Sequence, residues 1–368
     1  MPQKKVRGMD SRERILKALN NEIPDRVPTF ELLIDEASII KLANLIIDDS
    51  INIEKIKTRF GEETRKSLEL HYQLAEKLDL DSLTTIFSTG LNNIDDNIAE
   101  DRFGTKYHLS EHGQPLPFDG PIKSIRDTAG FDMAKSLKDE DFEGPRYIIR
   151  RSGRKKAIFL LMSDPFKLSW KLRGGMEDLL IDYAIDPSLV HRMASITTDY
   201  NLAAIEYAAG MGIDAIAVEG DLAGSENLIM SPDHFKEYVK PYLAKIVEYS
   251  HDKGLKIIKH SDGNIWQILD DLIEVGFDGI HPIQPQCMDI GEVKEYLKDK
   301  ACIVGNIDCQ ELLPNGSKDE VDRVVKQTID IASPGGGYII SSSNSIHPGV
   351  KPENYIAMIE AVHKYGLY

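Results

Sequence analysis

Ile213-Asp214-Ala215-Ile216-Ala217-Val218-Glu219 and Lys256-Ile257-Ile258-Lys259-His260 are short apolar runs, each ending in an ionisable residue. Between them, Ser231-Pro232 reads as a helix N-cap followed by a first-turn proline. Phe235, Val239, Leu243, Ile246 and Val247 then recur at helical spacing, and Gly254 stands where a helix C-terminus would take glycine. Nearly continuous apolar strands flanking an amphipathic helix predict parallel pairing, buried on both faces and joined by a right-handed crossover. That unit sets the fold.

The unit recurs in both directions along the chain. Strand-like runs lie at 27–32, 83–87, 157–162, 213–219, 256–260, 279–283, 302–306 and 338–342, with helical patterns between them. Eight such units predict an α/β fold, a (β/α)8 TIM barrel, with a doubly wound open sheet as the alternative. Asp10 and Glu13 have capping-box spacing ahead of Ile15, Leu16 and Leu19, so a helix precedes the first strand. Residues 1–368 read as one barrel domain. The connection 88–156 is far longer than an ordinary strand-to-helix link. It leaves the carboxyl end of the second strand as an insertion near the barrel mouth, with a substrate lid as one reading and a structural elaboration or a homodimer contact as the other. Gly335-Gly336-Gly337 precedes its strand and reads as a tight turn on the opposite face, not as a phosphate cradle.

Bulk composition narrows the function. A net charge of −16 argues against binding a phosphate backbone, which needs basic patches. The basic runs Lys4-Lys5-Val6-Arg7 and Arg150-Arg151 through Arg154-Lys155-Lys156 read as solvated surface. No apolar window of about 18 residues is present, so no membrane span is expected. The N-terminus runs into Asp10-Ser11-Arg12-Glu13 with no apolar segment of a signal peptide. Cys287, Cys302 and Cys309 have no framework spacing, which fits a reducing cytoplasmic setting.

In a barrel, the carboxyl ends of the strands converge although they are distant in sequence. Here they carry Glu219-Gly220-Asp221, His260-Ser261-Asp262-Gly263-Asn264, His281-Pro282-Ile283-Gln284, Asn306-Ile307-Asp308-Cys309 and Asn344-Ser345-Ile346-His347. Glu219, His260 and Cys309 offer carboxylate, imidazole and thiolate, the zinc-ligand types, and three ligands leave a fourth position for substrate. The bland reading makes Cys309 a small buried hydrophobe and His260 a hydrogen-bonded rim histidine. Asp262 either joins the ligands or orients His260. His347 is a candidate acid or base. His281, Gln284 and Asn344 are candidate substrate-binding residues, although His281 also fits a turn before Pro282. Trp266 reads as helix packing, and Cys287 and Cys302 as inert.

Several stretches resemble the uroporphyrinogen decarboxylase-like superfamily: Arg12-Glu13-Arg14-Ile15-Leu16-Lys17-Ala18-Leu19, Pro24-Asp25-Arg26-Val27-Pro28, Ser231-Pro232-Asp233-His234-Phe235, Pro241-Tyr242-Leu243, His260-Ser261-Asp262-Gly263-Asn264, Gly305-Asn306-Ile307-Asp308 and Pro352-Glu353-Asn354. The resemblance covers nearly the whole chain and implies the barrel. The decarboxylases carry an arginine-rich N-terminal signature for a polycarboxylate substrate. The matching Thr29-Phe30-Glu31-Leu32-Leu33-Ile34-Asp35 contains no arginine. Decarboxylation is therefore disfavoured, although His347 falls near that group's carboxyl-terminal histidine.

The other branch comprises methyltransferases that move methyl groups to or from a corrinoid on a partner protein. Its coenzyme M group uses a zinc motif His-x-Cys-Gly and a later cysteine. This chain keeps His260 and Gly263 but has Asp262 at the cysteine position, and Asn344 and His347 with no cysteine near the last strand. With Glu219, His260 and Cys309 in place of those sulfurs, the pattern is more similar to the O-demethylase methyltransferase I type. The resemblance implies a zinc enzyme moving a methyl group from an aryl methyl ether, a small-molecule donor, to the Co(I) corrinoid (cobalamin) of a partner protein. Asp262 or His347 would deliver a proton to the leaving oxygen. A metal-free decarboxylase or lyase of the same superfamily and a non-catalytic ligand-binding barrel are the alternatives.

Overall fold

The computed structural model describes residues 8–47, 62–109 and 115–368; the basic run at 4–7 lies outside them. Strand β1 (Ser82–Ile86) leads into β2 (Leu91–Asn93), β3 (Ile98–Asp101), β4 (Lys106–His108) and β5 (Leu116–Asp119). Then follow β6 (Ala157–Ser163), β7 (Ala215–Glu219), β8 (Lys256–His260), β9 (Gly279–His281), β10 (Cys302–Val304) and β11 (Tyr338–Ile339). Strands β1 and β6 to β11 form one parallel sheet in sequence order, as the strand–helix alternation predicts. The sheet is the wall of a TIM barrel. Its middle strands are sealed on both faces: in β6 every residue from Ala157 to Met162 is buried.

The first expected strand, at 27–32, is not a ladder strand. This stretch and the residues just after it touch the segment that follows β11 through single parallel bridges, Thr29 with Ile340 and Ile34 with Ile346. Phe30 N–H donates to the Ile340 carbonyl at 3.0 Å, and Ile340 N–H to the Pro28 carbonyl at 2.9 Å. Toward β1 the contacts run through side chains. Thr29 N–H donates to Asp81 Oδ2 (3.0 Å), and Ser82 Oγ and Thr84 Oγ1 donate to the Thr29 and Glu31 carbonyls (3.1 and 2.5 Å). Pro28 has no N–H for a ladder, and Asp81 takes that of Thr29. The eighth position is thus filled, but by hydroxyls and a carboxylate in place of a regular ladder.

The later strands are shorter than their apolar runs. β9 stops at His281 because Pro282 has no N–H to continue the ladder. β10 stops before Gly305, whose φ of 147° is open to glycine, and where a Cβ would collide with the Pro282 carbonyl.

Barrel-facing residues such as Phe30, Phe159, Ala217, Ile258, Val304 and Ile339 form one buried cluster with Ile15, Ala18 and Leu19. The first helix, Ser11–Leu19, is capped by Asp10, whose carboxylate accepts from Glu13 N–H at 2.8 Å, and supplies those three residues to the barrel interior. Burial of each large apolar side chain in such a core stabilises the fold by about 1.5–3 kcal/mol. Arg14 and Arg26 both pair with fully buried Asp81 (Arg26 Nη1 at 2.8 Å), fastening this helix and the first strand to the foot of β1.

The long connection after β1 is a separate antiparallel sheet, ordered β2-β3-β4-β5. It is followed by three short 3-10 turns and the helix Glu143–Ser152. Arg102 grips Asp141 through both guanidinium nitrogens, at 2.7 and 2.6 Å, tying this sheet to the last of those turns. Because β1 runs toward the carboxyl rim, Leu91, Tyr107, Pro115 and Leu116 come to wall a cavity there.

Candidate functional site

Register builds the site. Ser163 of β6 pairs with Glu219 of β7, Glu219 with His260 of β8, and His260 with His281 of β9. Four polar side chains from distant parts of the chain therefore share one row at the carboxyl edge. Two residues past Glu219 and His260 stand Asp221 and Asp262, brought together by the same register. Asp262 N–H donates to Asp221 Oδ1 at 3.0 Å. Gly263 follows with φ of 86°, and a Cβ there would collide with the carbonyls of Ala223 and Gly224. Glycine alone gives the chain this turn directly behind Asp262.

His260 lies under these carboxylates. Its Nε2 is 3.8 Å from Asp221 Oδ1 and 3.8 Å from Asp262 Oδ1. Its Nδ1 is 2.8 Å from His281 Nδ1. Burial pushes the His260 pKa down to about 3 and that of His281 well below the usual range, so both rings are neutral. Asp262 is driven the other way. Burial first and the Asp221 charge second raise its carboxyl to about 7, against a 2.5 Å hydrogen bond donated by Asn344 Nδ2 to its Oδ2. Its Oδ1 is buried without a hydrogen-bond partner.

Among the described residues, Asp221, His260 and Asp262 are the group whose donor atoms all lie within 4.8 Å of one another. An unpartnered buried carboxylate oxygen and an imidazole nitrogen facing two carboxylates are what a divalent cation would satisfy. The residues present fit a metal.

The structure does not gather Glu219, His260 and Cys309 as one ligand set. Glu219 Oε2 pairs with Lys167 Nζ at 3.1 Å, and its Oε1 accepts from Ser163 Oγ at 3.0 Å. Burial opposes its charge, yet the ammonium groups of Lys167 and Lys171 outweigh it and hold the carboxyl at about 2. Cys309 is buried, and burial lifts its thiol to about 11 despite a hydrogen bond from Ser343 Oγ. Cys309 is not in the group of donor atoms that Asp221, His260 and Asp262 form. Asp262 moves from an alternative to a member of the group, and Asp221, which had no assigned role, completes it. The signal for Asp221 was its offset from Glu219, the same as that of Asp262 from His260.

The remaining candidates are spread around this centre. His281 orients His260 and also meets Ser341 Oγ through Nε2 at 3.0 Å. Gln284 Oε1 accepts from Gly263 N–H (2.8 Å), which places it against the loop that carries Asp262. Asn344 touches Asp262 directly. His347 is turned aside: its Nε2 donates to the Cys309 carbonyl at 2.9 Å and its Nδ1 accepts from Gly349 N–H at 3.0 Å. Two further elements support the rim. Asp164 caps the helix Pro165–Arg173 by accepting from Lys167 N–H at 2.7 Å, which turns Lys167, Trp170 and Lys171 toward the cavity. Fully buried Lys259 bonds Asp164 (2.9 Å) and the carbonyls of Gly220 (2.7 Å) and His260 (2.9 Å), binding the ends of β7 and β8 together.

The cavity above this row has a volume of about 630 Å³ and is lined by Asp221, Lys167, Lys171 and Trp170 together with the insertion and the end of β1. No helix among the described residues is long and apolar enough to cross a membrane.

Comparison with known proteins agrees with this architecture. The chain is 24% identical to uroporphyrinogen decarboxylase from Thioalkalivibrio sulfidiphilus over 187 residues, 50% of each protein. It is 30% identical to methylcobamide:CoM methyltransferase MtaA from Methanosarcina barkeri over 166 residues, 44% of this chain and 46% of that one. The chain thus spans about half the length of these relatives. Among solved structures, a methyltransferase from Methanosarcina mazei superposes with a TM-score of 0.74 at 20% identity, covering 97% of this chain and 99% of that one, and so shares its fold. The family model described as uroporphyrinogen decarboxylase (URO-D) matches residues 59–365, and the chain belongs to that family.

Proposed function

We propose that this protein is a corrinoid-dependent methyltransferase that moves a methyl group from an O-methyl donor, an aryl methyl ether, to the Co(I) corrinoid of a partner protein, using a zinc ion held by Asp221, His260 and Asp262. The observation that carries the reading is the convergence of those three side chains beside a cavity, with Asp262 Oδ1 buried and unpartnered. The methylcobamide:CoM methyltransferase among the relatives supports the methyl-transfer chemistry. Two carboxylates and an imidazole suit a harder donor atom than a thiol sulfur, which supports an oxygen donor.

Zinc, when bound, supplies Lewis acidity toward the ether oxygen. The residues do the rest. His260, neutral through burial, presents a nitrogen at one edge of the group. Asp262 is aimed by Asn344 and by the Gly263 turn, and Asp221 accepts the backbone N–H of Asp262. Lys167, ion-paired with Glu219, places a cation on the cavity wall where a leaving phenolate would gather charge. The partner's corrinoid would supply the nucleophile, so no protein nucleophile is required.

The test is a methyl-transfer assay with zinc-loaded protein, an aryl methyl ether and a reduced corrinoid protein, followed by the visible spectrum of the cobalt. Methylcobalt formation that is lost on chelation and regained with zinc supports the reading. Full activity surviving chelation would overturn it. A metal-free decarboxylase is less well supported, because the cavity lining has two lysines and no arginine to hold a polycarboxylate.

A further inference from the structure

The helix Pro165–Arg173 turns two ammonium groups into the cavity, and only one is matched. Lys167 is ion-paired with Glu219. Lys171 has no carboxylate ion pair among the described residues; its nearest polar contact is Ser163 Oγ at 3.4 Å. The neighbouring acids are already engaged. Glu219 is held by Lys167 and Ser163, and Asp101 takes N–H groups of Phe103 and Thr105 on one oxygen (2.9 Å each) and the Tyr107 hydroxyl on the other (2.8 Å). Burial first and Lys167 second lower the Lys171 pKa, against the more distant charges of Glu219, Asp101 and Asp164. A half-buried lysine at a cavity wall, balanced only by carboxylates beyond ion-pair distance, gains from an anion that reaches it directly. Between the two lysines in sequence lies Trp170, which lines the same cavity and gives it an aromatic wall.

We infer that Lys171 is a specificity residue that binds an anionic group, a carboxylate, on an aromatic methyl donor whose ring lies against Trp170. The inference rests on the methyl-transfer reading for the identity of the donor, but the anion subsite rests on the cavity alone. A cavity of about 630 Å³ has room for a substituted benzene ring spanning Lys171 and Asp221, both of which line it. A buried charge-assisted hydrogen bond of this kind is worth about tenfold or more in affinity.

Calorimetry on the zinc-loaded full chain tests it, with meta-methoxybenzoate against its neutral counterpart meta-methoxybenzyl alcohol. The benzoate is expected to bind at least about tenfold more tightly. In Lys171→Met that preference should vanish while affinity for the alcohol and zinc content stay unchanged, and Lys171→Arg should restore it. Lys171→Gln makes the same comparison should Lys171→Met not fold. Equal affinities in the wild type overturn the inference. So does a preference that survives in folded, zinc-loaded Lys171→Met, since the carboxylate would then be on the metal. A preference that depends on Lys171 without any methyl transfer leaves the subsite standing and removes the methyltransferase reading. Methyl transfer at equal kcat/KM from both ethers does the reverse.

Discussion

His281 Nδ1 lies 2.8 Å from His260 Nδ1, and this contact fixes which nitrogen of His260 is free. Ser341 Oγ donates its single proton to the Ser342 carbonyl at 2.7 Å, so toward His281 Nε2 it accepts. His281, neutral and protonated at Nε2, has a lone pair at Nδ1. His260 must donate from its own Nδ1 and carries its lone pair at Nε2, facing Asp221 and Asp262. A lone pair confronting two carboxylate oxygens is unfavourable until a cation or proton sits among them.

Removing that orientation should weaken the metal without unseating it. His281→Phe is expected to lower zinc affinity by about 10- to 100-fold, as loss of a partner that orients a ligand does. Competition against a chromophoric chelator measures it, and unchanged affinity would show that His260 is held by packing alone.

The ligand set itself is open to a direct comparison. Zinc content by elemental analysis should fall in His260→Ala, Asp262→Asn and Asp221→Asn, and persist in Cys309→Ser. Loss of zinc in Cys309→Ser with retention in Asp221→Asn would restore the set of Glu219, His260 and Cys309.

Glu31 should make stability fall as pH rises. Burial, against hydrogen bonds from Ser342, raises its carboxyl from the ordinary 4.5 to about 8. The folded chain therefore holds this proton more tightly than the unfolded chain. Its contribution is complete below about pH 4.5, declines as the unfolded state ionises, and is lost by about pH 8. Glu31→Gln should flatten that decline, an effect on the order of a few kcal/mol. Denaturant midpoints measured across this range would show it, and parallel curves for the two proteins would refute it.

Lys259 and Asp164 form a fully buried ion pair at 2.9 Å beneath the site. Lys259→Met should cost about 3–5 kcal/mol because it leaves Asp164 charged and unpaired. The Lys259→Met/Asp164→Asn double variant should recover part of that loss. Chemical denaturation of the single and double variants gives the coupling energy, and simple additivity would argue against the pair.

Much of the fold was legible in the chain. Apolar runs ending in Glu219 and His260, and the capped helix between them, required parallel strands buried on both faces. The barrel follows from repeating that unit. The first strand at 27–32 was less legible, since its closure depends on Asp81, Ser82 and Thr84 offering side chains where a ladder would be expected. Of the site, His260 and Asp262 were visible as polar ends of one strand. Residue types alone also nominated Glu219 and Cys309, because a list of good ligands carries no distances. The register of β7 against β8 sets Asp221 beside Asp262, and Lys167, from a helix, claims Glu219. Local pattern thus determined which elements form and which of their ends are polar, because helical and strand periodicity are properties of neighbours in sequence. Tertiary structure alone decided which acid meets which base and which histidine nitrogen is free, because those depend on contacts between side chains far apart in the chain.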